Sequence, residues 1–289
     1  MSWQFALCIF IAINVGSIIL NKVATDVIPQ KSKGVFYQYL FCAVIAFCYA
    51  LLSGKVLFSL TVLWIGLSGF FLNAFGNYFM WRAFELNLSK SVLFFPLMEI
   101  VSIILAVIFL SEASLWNLQL IFGVILCFLA MGLFRSVTNK SVTKEVLNKK
   151  WFVFVLLMVL MLGIAGFLVK LFSYTVSRET FVMGFYMGSF LGSVSLLIIE
   201  KQNPLQVTKK MILPIVPLCI MVMSALLAFF WVYQLGGSVS LVQPLRGLAI
   251  TIFPVLIGWF IFKERKELHK REWLGFLCGT AGTILILTR

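Results

Sequence analysis

Long apolar runs are separated by short polar segments along the whole chain. A helix needs about 20 residues to cross a bilayer core of about 30 Å. The apolar runs are continuous rather than alternating, which excludes a transmembrane barrel. The pattern therefore predicts an all-α integral membrane protein with ten transmembrane helices. These ten runs occupy approximately residues 3–21, 34–53, 60–81, 91–110, 115–134, 151–169, 180–199, 211–233, 239–262 and 272–288.

The composition agrees with this pattern. Of the 289 residues, 62% are hydrophobic and 11% are charged, and the mean hydropathy is +1.07. Soluble domains have about 45–50% apolar and about 25% charged residues. Ten membrane-spanning helices joined by short loops leave no room for a soluble enzymatic domain.

An internal repeat divides the chain into two halves. The segments 85–91 and 234–240 both have the pattern Glu/Gln-Leu-x-x-Ser-x-Ser. We interpret residues 1–135 as a first five-helix repeat, 136–150 as a basic cytoplasmic linker and 151–289 as a second five-helix repeat. Further residue pairs with a similar separation are Trp81 and Trp231, Pro96 and Pro244, Glu112 and Glu264, and Lys22 and Lys170.

The number of spans and the loop charges indicate that the two repeats are inverted. Because five is odd, consecutive repeats enter the membrane from opposite sides. The net charge of the chain is +13, and the odd-numbered loops contain 18 of the 23 Lys and Arg residues. Basic loops stay on the cytoplasmic side of a membrane. The charge pattern therefore predicts that the odd-numbered loops are cytoplasmic and that both termini are outside.

These features together resemble the drug/metabolite transporter superfamily, in particular its ten-helix EamA-type branch. The resemblance rests on the five-plus-five plan, the Ser-x-Ser joint before a proline-bearing span, and the short Glu-to-Gly segments after spans four and nine. It implies secondary active transport by alternating access, with a central cavity lined by spans 1, 3, 4, 6, 8 and 9. It also implies a multi-pass protein of the bacterial inner (plasma) membrane, with metabolite export as the first choice of direction.

Two charged residues inside predicted spans are the main candidate site. Glu99 lies about nine residues into span four, roughly 13 Å deep at 1.5 Å per residue, where a carboxylate is costly. Arg246 lies two residues after Pro244 in span nine, and the repeat register places both side chains near one central cavity. Glu99 could couple transport to protons or bind a substrate ammonium, and Arg246 could bind a carboxylate. The pair could also open and close during transport, or it could be a permanent structural pair.

Further candidates follow from position. A polar stripe on span three, formed by Asn73, Asn77, Trp81 and Glu85, could line a cavity or make a helix–helix contact. Arg82 and Glu85 are three residues apart near a span end, which favours a surface pair. Glu112 and Glu264 begin short loops, where we expect each to cap the next helix. The additional candidate substrate-binding residues are Asn14, Asn73, Asn77, Trp81, Trp231 and Gln243, and the candidate gating residues are Lys22, Lys170 and Glu85.

The sequence contains no motif for catalysis, cofactor binding or metal binding. The six cysteines lie in apolar runs without a CxxC pair, and His269 is the only histidine. We therefore expect a protein that is not an enzyme, that needs no cofactor and that does not bind nucleic acid. The glycines of spans six and seven favour close helix packing or a dimer face. The chain could thus be a monomer or a homodimer.

The expected function is secondary active transport of a small polar or zwitterionic, amino-acid-like metabolite. Transport would be coupled to protons or would proceed by exchange. One alternative is uptake of a larger cofactor-like or nucleotide-derived metabolite. Alternatives from other classes are a membrane-embedded enzyme and a structural membrane protein. The expected partners are the small-molecule substrate, membrane lipids and protons.

Overall fold

A computed structural model describes residues 2–92, 94–138, 149–204, 212–260 and 270–288. Over these residues the protein is built from ten helices, which we number in chain order. The third is continuous and contains a π-helical segment, Gly69–Ala74, between Leu60–Ser68 and Phe75–Val92. A short 3₁₀ helix, Glu112–Leu115, follows the fourth. The helices are α1 (Trp3–Val27), α2 (Lys31–Leu52), α3 (60–92), α4 (Phe95–Phe109), α5 (Leu118–Thr138), α6 (Lys149–Ser173), α7 (Arg178–Ile199), α8 (Ile215–Gln234), α9 (Val239–Phe260) and α10 (Lys270–Leu287).

Six of these helices are long and apolar enough to cross a membrane. They are α1, α2, α3, α6, α7 and α8, which confirms an all-α, multi-pass membrane protein. The apolar stretches of α4, α5, α9 and α10 are shorter, between 10 and 17 residues within the described part of the chain. The long helices are thus the first three of each predicted repeat, and the short ones are its last two.

Serine hydroxyls mark the starts of three long helices. The Ser59 hydroxyl accepts a hydrogen bond from the Val62 N–H at 3.3 Å, and Ser177 accepts one from Thr180 at 3.3 Å. Ser2 does the same for Phe5 at 3.5 Å. The first N–H groups of a helix have no partner within it, so a side-chain oxygen at this position stabilises the helix end.

The boundary between α3 and α4 differs from the sequence prediction. Residues 85–91 were expected to join two spans, but they continue α3 as far as Val92, and α4 begins at Phe95. The equivalent segment 234–240 does form a turn, because it contains Gly236 at φ +94°. No glycine or proline interrupts 85–91. Glu99 therefore lies four residues, about 6 Å, from the start of α4.

Glycines allow α3 and α7 to cross at very short distance. A Cβ atom on Gly188 would lie 1.8 Å from the carbonyl oxygen of Gly66, and one on Gly69 would lie 2.0 Å from the carbonyl oxygen of Phe185. Gly192 similarly faces the backbone of Phe70. Small residues permit such backbone contact between membrane helices. The predicted close packing of the span-seven glycines is confirmed, and their contact is with α3 of the same chain.

Each half packs extensively against the other. Helix α5 packs along α10, α1 along α8, α2 along α7 and α3 along α6. Helix α4 contacts both α6 and α9, and α9 also contacts α1. The centre of the bundle is thus bounded by helices from both halves, and the candidate site lies where α1, α4, α6, α8 and α9 meet.

Candidate functional site

Glu99 of α4 and Arg246 of α9 form an ion pair between the two halves. Arg246 Nη1 lies 3.6 Å from Glu99 Oε2. The Glu99 side chain is 1% exposed, whereas that of Arg246 is 23% exposed. The expectation that the two charges approach each other is confirmed. The separation exceeds that of a hydrogen bond, so the carboxylate and the guanidinium keep hydrogen-bonding capacity for a third group.

The Arg246 guanidinium lies against an amide and two aromatic rings. Its Nη1 donates to Gln243 Oε1 at 3.3 Å. Its Cζ lies 5.1 Å from the ring centroid of Phe229 on α8 and 5.8 Å from that of Phe10 on α1. These two rings stack on each other at 4.7 Å. Cation–π attraction to two rings holds the guanidinium in place while leaving its N–H groups available.

Four buried polar atoms near this pair have no hydrogen-bond partner among the described residues. They are Glu99 Oε2, Arg246 Nε, Gln243 Nε2 and Tyr233 Oη. The Tyr233 hydroxyl is within electrostatic range of both Glu99 and Arg246. A buried polar group without a partner costs about 1–3 kcal/mol, so several in one place indicate a site for a polar ligand.

Helix α6 packs closely against these polar groups at a glycine. A Cβ atom on Gly166 would lie 3.0 Å from Ser102 Oγ and 3.2 Å from Gln243 Nε2. One turn earlier, the Gly163 carbonyl accepts a hydrogen bond from Ser102 Oγ at 2.6 Å. The absence of a side chain at Gly166 therefore lets α6 approach Ser102 and Gln243 closely, and the Ser102 hydrogen bond fixes α4 against α6.

Lys170 lies at one end of the site and binds backbone rather than carboxylate. Its ammonium donates to the Gly237 carbonyl at 2.7 Å and lies 3.5 Å from the Tyr233 carbonyl. It also lies 4.4 Å and 5.4 Å from the ring centroids of Tyr174 and Tyr233. The side chain is 2% exposed. This candidate gating residue thus joins the end of α6 to the turn between α8 and α9.

Glu112 caps α9, which differs from the prediction that it would cap the next helix. Its carboxylate accepts from the backbone N–H groups of Val239 and Ser240 at 2.9 and 2.8 Å. The next helix, α5, is instead capped by Asn117, whose side chain accepts from Leu120 at 2.8 Å. The reason is tertiary: the loop after α4 packs against the start of α9. The same prediction for Glu264 lies outside the described residues.

A second ionic cluster joins the last third of α3 to the end of α7. Arg82 forms the predicted pair with Glu85 at 3.1 Å and also pairs with Glu200, just after α7. Tyr78 donates a hydrogen bond to the same carboxylate. Burial acts to raise the pKa of Glu200, but the Ser32 hydroxyl, Tyr78 and the charge of Arg82 together outweigh it, so this pKa lies below its usual value. Glu85, a candidate gating residue, is thus part of a cluster that joins two helices.

The polar stripe of α3 makes helix contacts away from the Glu99–Arg246 pair. Asn73 Nδ2 donates to Ser189 Oγ of α7 at 2.9 Å, and Asn77 Nδ2 donates to Asn73 Oδ1 at 2.9 Å. Trp81 is 0% exposed, with its ring against Gly34 of α2. Of the two readings left open by the sequence, the helix–helix contact is the one observed for Asn73.

The remaining candidates occupy other positions. The Ser17 hydroxyl donates to the Asn14 carbonyl at 2.8 Å within α1. Trp231 is partly buried and packs against the apolar core of α8 and its neighbours. The side chain of Lys22 lies outside the described residues. Tyr233 was not predicted, because an aromatic residue near a span end resembles an interface anchor in sequence.

Comparison with known proteins adds information on the fold. No protein-family model matches the chain, and no curated protein matches it in sequence. A solved crystal structure of a protein matches it with a TM-score of 0.74 at 14% sequence identity. The match covers 98% of this chain and 98% of that chain. The likeness is therefore one of fold, and it extends over nearly the whole of both chains.

Proposed function

We propose that the protein is a secondary active transporter that moves a small polar or zwitterionic, amino-acid-like metabolite across the membrane. The observation that carries this proposal is the buried Glu99–Arg246 pair with its surrounding unpartnered polar atoms. A charge within a membrane protein is costly and usually faces a substrate or ion pathway. Two opposite charges with remaining hydrogen-bonding capacity suit a substrate that has both an ammonium and a carboxylate.

The helix contacts support two inverted repeats of the kind found in the drug/metabolite transporter superfamily. If α1–α5 correspond to α6–α10, a contact between halves should recur with the two halves exchanged. The α1–α8 contact is matched by α3–α6, α4–α6 by α1–α9, and α3–α7 by α2–α8, whereas α5–α9 has no comparable α4–α10 contact among the described residues. Three further contacts, α2–α7, α4–α9 and α5–α10, join equivalent helices. Such twofold related halves are the basis of alternating access in many transporters.

The ion pair supplies a way to link substrate binding to conformational change. Without substrate, Glu99 and Arg246 neutralise each other, so the empty site contains no uncompensated charge. A zwitterion divides the pair, with its ammonium on Glu99 and its carboxylate on Arg246. Protonation of Glu99 removes one charge and releases the ammonium, which would couple flux to protons. Exchange of one substrate for another needs no proton.

The two ends of the bundle provide candidate gates. Lys170 and Glu112 hold the α8–α9 turn at one end, and Arg82, Glu85 and Glu200 join α3 to α7 near the other. With the proposed topology, the first cluster faces outside and the second faces the cytoplasm of a bacterial cell. Opening one side would break one set of contacts and preserve the other.

Transport by reconstituted protein tests this proposal. Proteoliposomes preloaded with unlabelled amino acids would be tested for uptake of labelled leucine and phenylalanine, with and without a pH gradient. We expect the native protein to catalyse both exchange and uptake driven by the pH gradient. Arg246→Ala should lose both activities, and Glu99→Gln should lose the gradient-driven uptake. The matched controls Arg178→Ala and Glu179→Gln remove the same charges from an ion pair that lies outside the site and outside both candidate gates.

The outcomes separate the candidate functions. If the two site variants exchange amino acids as well as the native protein, the ion pair is structural. If the native protein exchanges neither amino acid but exchanges labelled adenosine monophosphate, the larger nucleotide-derived substrate class replaces the zwitterion.

A further inference from the structure

Tyr233 presents a buried hydroxyl to the candidate site without a structural partner. Its side chain is 1% exposed, and its Oη makes no hydrogen bond to any described residue. Phenylalanine at this position would fill the same volume without the cost of an unpartnered hydroxyl. Packing alone therefore does not account for tyrosine at this position.

The ring of Tyr233 is held from two sides. The Phe229 ring packs against it with centroids 4.8 Å apart, and the Lys170 ammonium lies 5.4 Å from its centroid. Lys170 Nζ also lies 3.5 Å from the Tyr233 carbonyl oxygen. These contacts hold the ring, so packing rather than a hydrogen bond determines where the hydroxyl lies.

The unpartnered atoms around the ion pair contain more donors than acceptors. Arg246 Nε and Gln243 Nε2 can only donate, and the Tyr233 hydroxyl can donate. Glu99 Oε2 is the single obligate acceptor among these four atoms. A carboxylate has two oxygens that together accept several hydrogen bonds, whereas an ammonium only donates. The imbalance therefore matches a ligand whose anionic group meets three donors and whose cationic group meets one carboxylate.

We propose that Tyr233 and Gln243 are specificity residues that bind the substrate carboxylate together with the Nε edge of Arg246, while Glu99 alone receives the ammonium. This inference rests on the proposed function and assigns separate residues to the carboxylate and to the ammonium of the substrate. The Gln243 side chain has two roles in this arrangement. Its oxygen accepts a hydrogen bond from Arg246 at 3.3 Å and orients the guanidinium, and its amide nitrogen is available to the ligand.

Matched ligands and one conservative substitution test the assignment. The ligand sets are leucine, 3-methylbutylamine and 4-methylpentanoate, and phenylalanine, 2-phenylethylamine and 3-phenylpropanoate. Binding to purified native protein and to Tyr233→Phe would be measured by titration calorimetry. Tyr186→Phe is the control, because Tyr186 is equally buried but donates to the Val222 carbonyl at 3.3 Å.

We expect Tyr233→Phe to weaken binding of the amino acid and the carboxylic acid about tenfold, as for one hydrogen bond to a charged group. Binding of the amine should change less than twofold. The melting temperature of the empty variant should equal or exceed that of the native protein, since an unpartnered hydroxyl is removed. Tyr186→Phe should leave all affinities unchanged.

Several results would overturn the assignment. Equal weakening for amine and acid, or a lower melting temperature of the empty Tyr233→Phe variant, would show a structural role. Unchanged amino-acid affinity would remove Tyr233 from the site while leaving the zwitterion proposal standing. Failure of all six ligands to bind the native protein would instead reject the zwitterion proposal itself, and the assignment with it.

Discussion

Glu112 and Ser240 join the two halves of the protein across 128 residues of sequence. Glu112 Oε2 accepts hydrogen bonds from both the backbone N–H and the hydroxyl of Ser240, at 2.8 and 2.7 Å. The carboxylate lies at the positive end of the α9 dipole and is 6% exposed. A residue of the first half thus fixes the start of the helix that presents Gln243 and Arg246.

Removing this cap should destabilise the protein. In Glu112→Ala the N–H groups of Val239 and Ser240 lose their partner in a buried place, at a cost of about 1–3 kcal/mol. The melting temperature in detergent should fall by several degrees. Ser59→Ala is the control, since Ser59 is an exposed cap, and its effect should be smaller.

A double-mutant cycle checks the cause. The combined Glu112→Ala and Ser240→Ala variant should lose less stability than the sum of the single variants, because the two residues share an interaction. Strict additivity would show that Glu112 does not act through the Ser240 hydroxyl.

The Glu200 cluster should make stability depend on pH in the acidic range. The pKa of Glu200 is lowered from its ordinary value of 4.5, so the folded protein favours the carboxylate. The stabilisation is fully present above the unfolded pKa and is lost as pH falls through the lower folded pKa. Glu200→Gln should therefore lower the free energy of unfolding at pH 7 by roughly 0.5–1 kcal/mol, as for a partly exposed pair, and the melting temperature should fall with it.

Measuring the stability of native protein and Glu200→Gln at several pH values distinguishes this effect from general acid denaturation. The difference between native protein and Glu200→Gln should shrink as the pH is lowered below 4.5. A constant difference from pH 7 to pH 3.5 would contradict the role of the ionised carboxylate.

The α3–α7 crossing should not tolerate a methyl group at Gly188. Its Cβ would lie 1.8 Å from a backbone oxygen of Gly66, which cannot move without separating the two helices. Gly188→Ala should cost about 1–3 kcal/mol, the usual range for overpacking, and should lower the melting temperature and the yield of folded protein. Gly132→Ala is the matched control, because a Cβ there meets nothing within 4 Å. Equal stability of the two variants would disprove the close approach.

Gly166→Ala should impair the candidate site without unfolding the protein. The added methyl would contact the side chains of Ser102 and Gln243 at 3.0 and 3.2 Å, and these can shift by a few tenths of an ångström. Because Gln243 orients Arg246, we expect roughly tenfold weaker binding of leucine or phenylalanine. Titration calorimetry with leucine or phenylalanine measures this effect, and Gly132→Ala is the control. Native affinity in Gly166→Ala would place the binding site elsewhere.

The approach of Glu99 to Arg246 could be predicted because the repeat register relates their positions. The position of Glu99 within its helix could not be predicted, because the matching Ser-x-Ser segments fold differently. Gly236 permits a turn after α8 at φ +94°, whereas residues 85–91 continue as helix. Similar sequence thus gave the correct neighbours but a wrong helix boundary.

The contacts that Tyr233, Lys170 and Glu112 make with distant parts of the chain could not be predicted from the sequence. Lys170 binds carbonyl oxygens of residues more than 60 positions away, and backbone acceptors leave no mark in a sequence. Glu112 caps a helix of the opposite half for the same reason.

The sequence by itself determined an all-α membrane protein, because continuous apolar runs of span length are stable only as helices in lipid. It also determined the spacing between charged residues of one helix, since the rise per residue is constant. Only the tertiary structure decided which helices meet. The crossing of α3 and α7 at their glycines and the packing of α4 against α6 and α9 place Glu99, Arg246, Gln243 and Tyr233 around one point. Such contacts depend on the summed shape of several helices, and no local pattern encodes that shape.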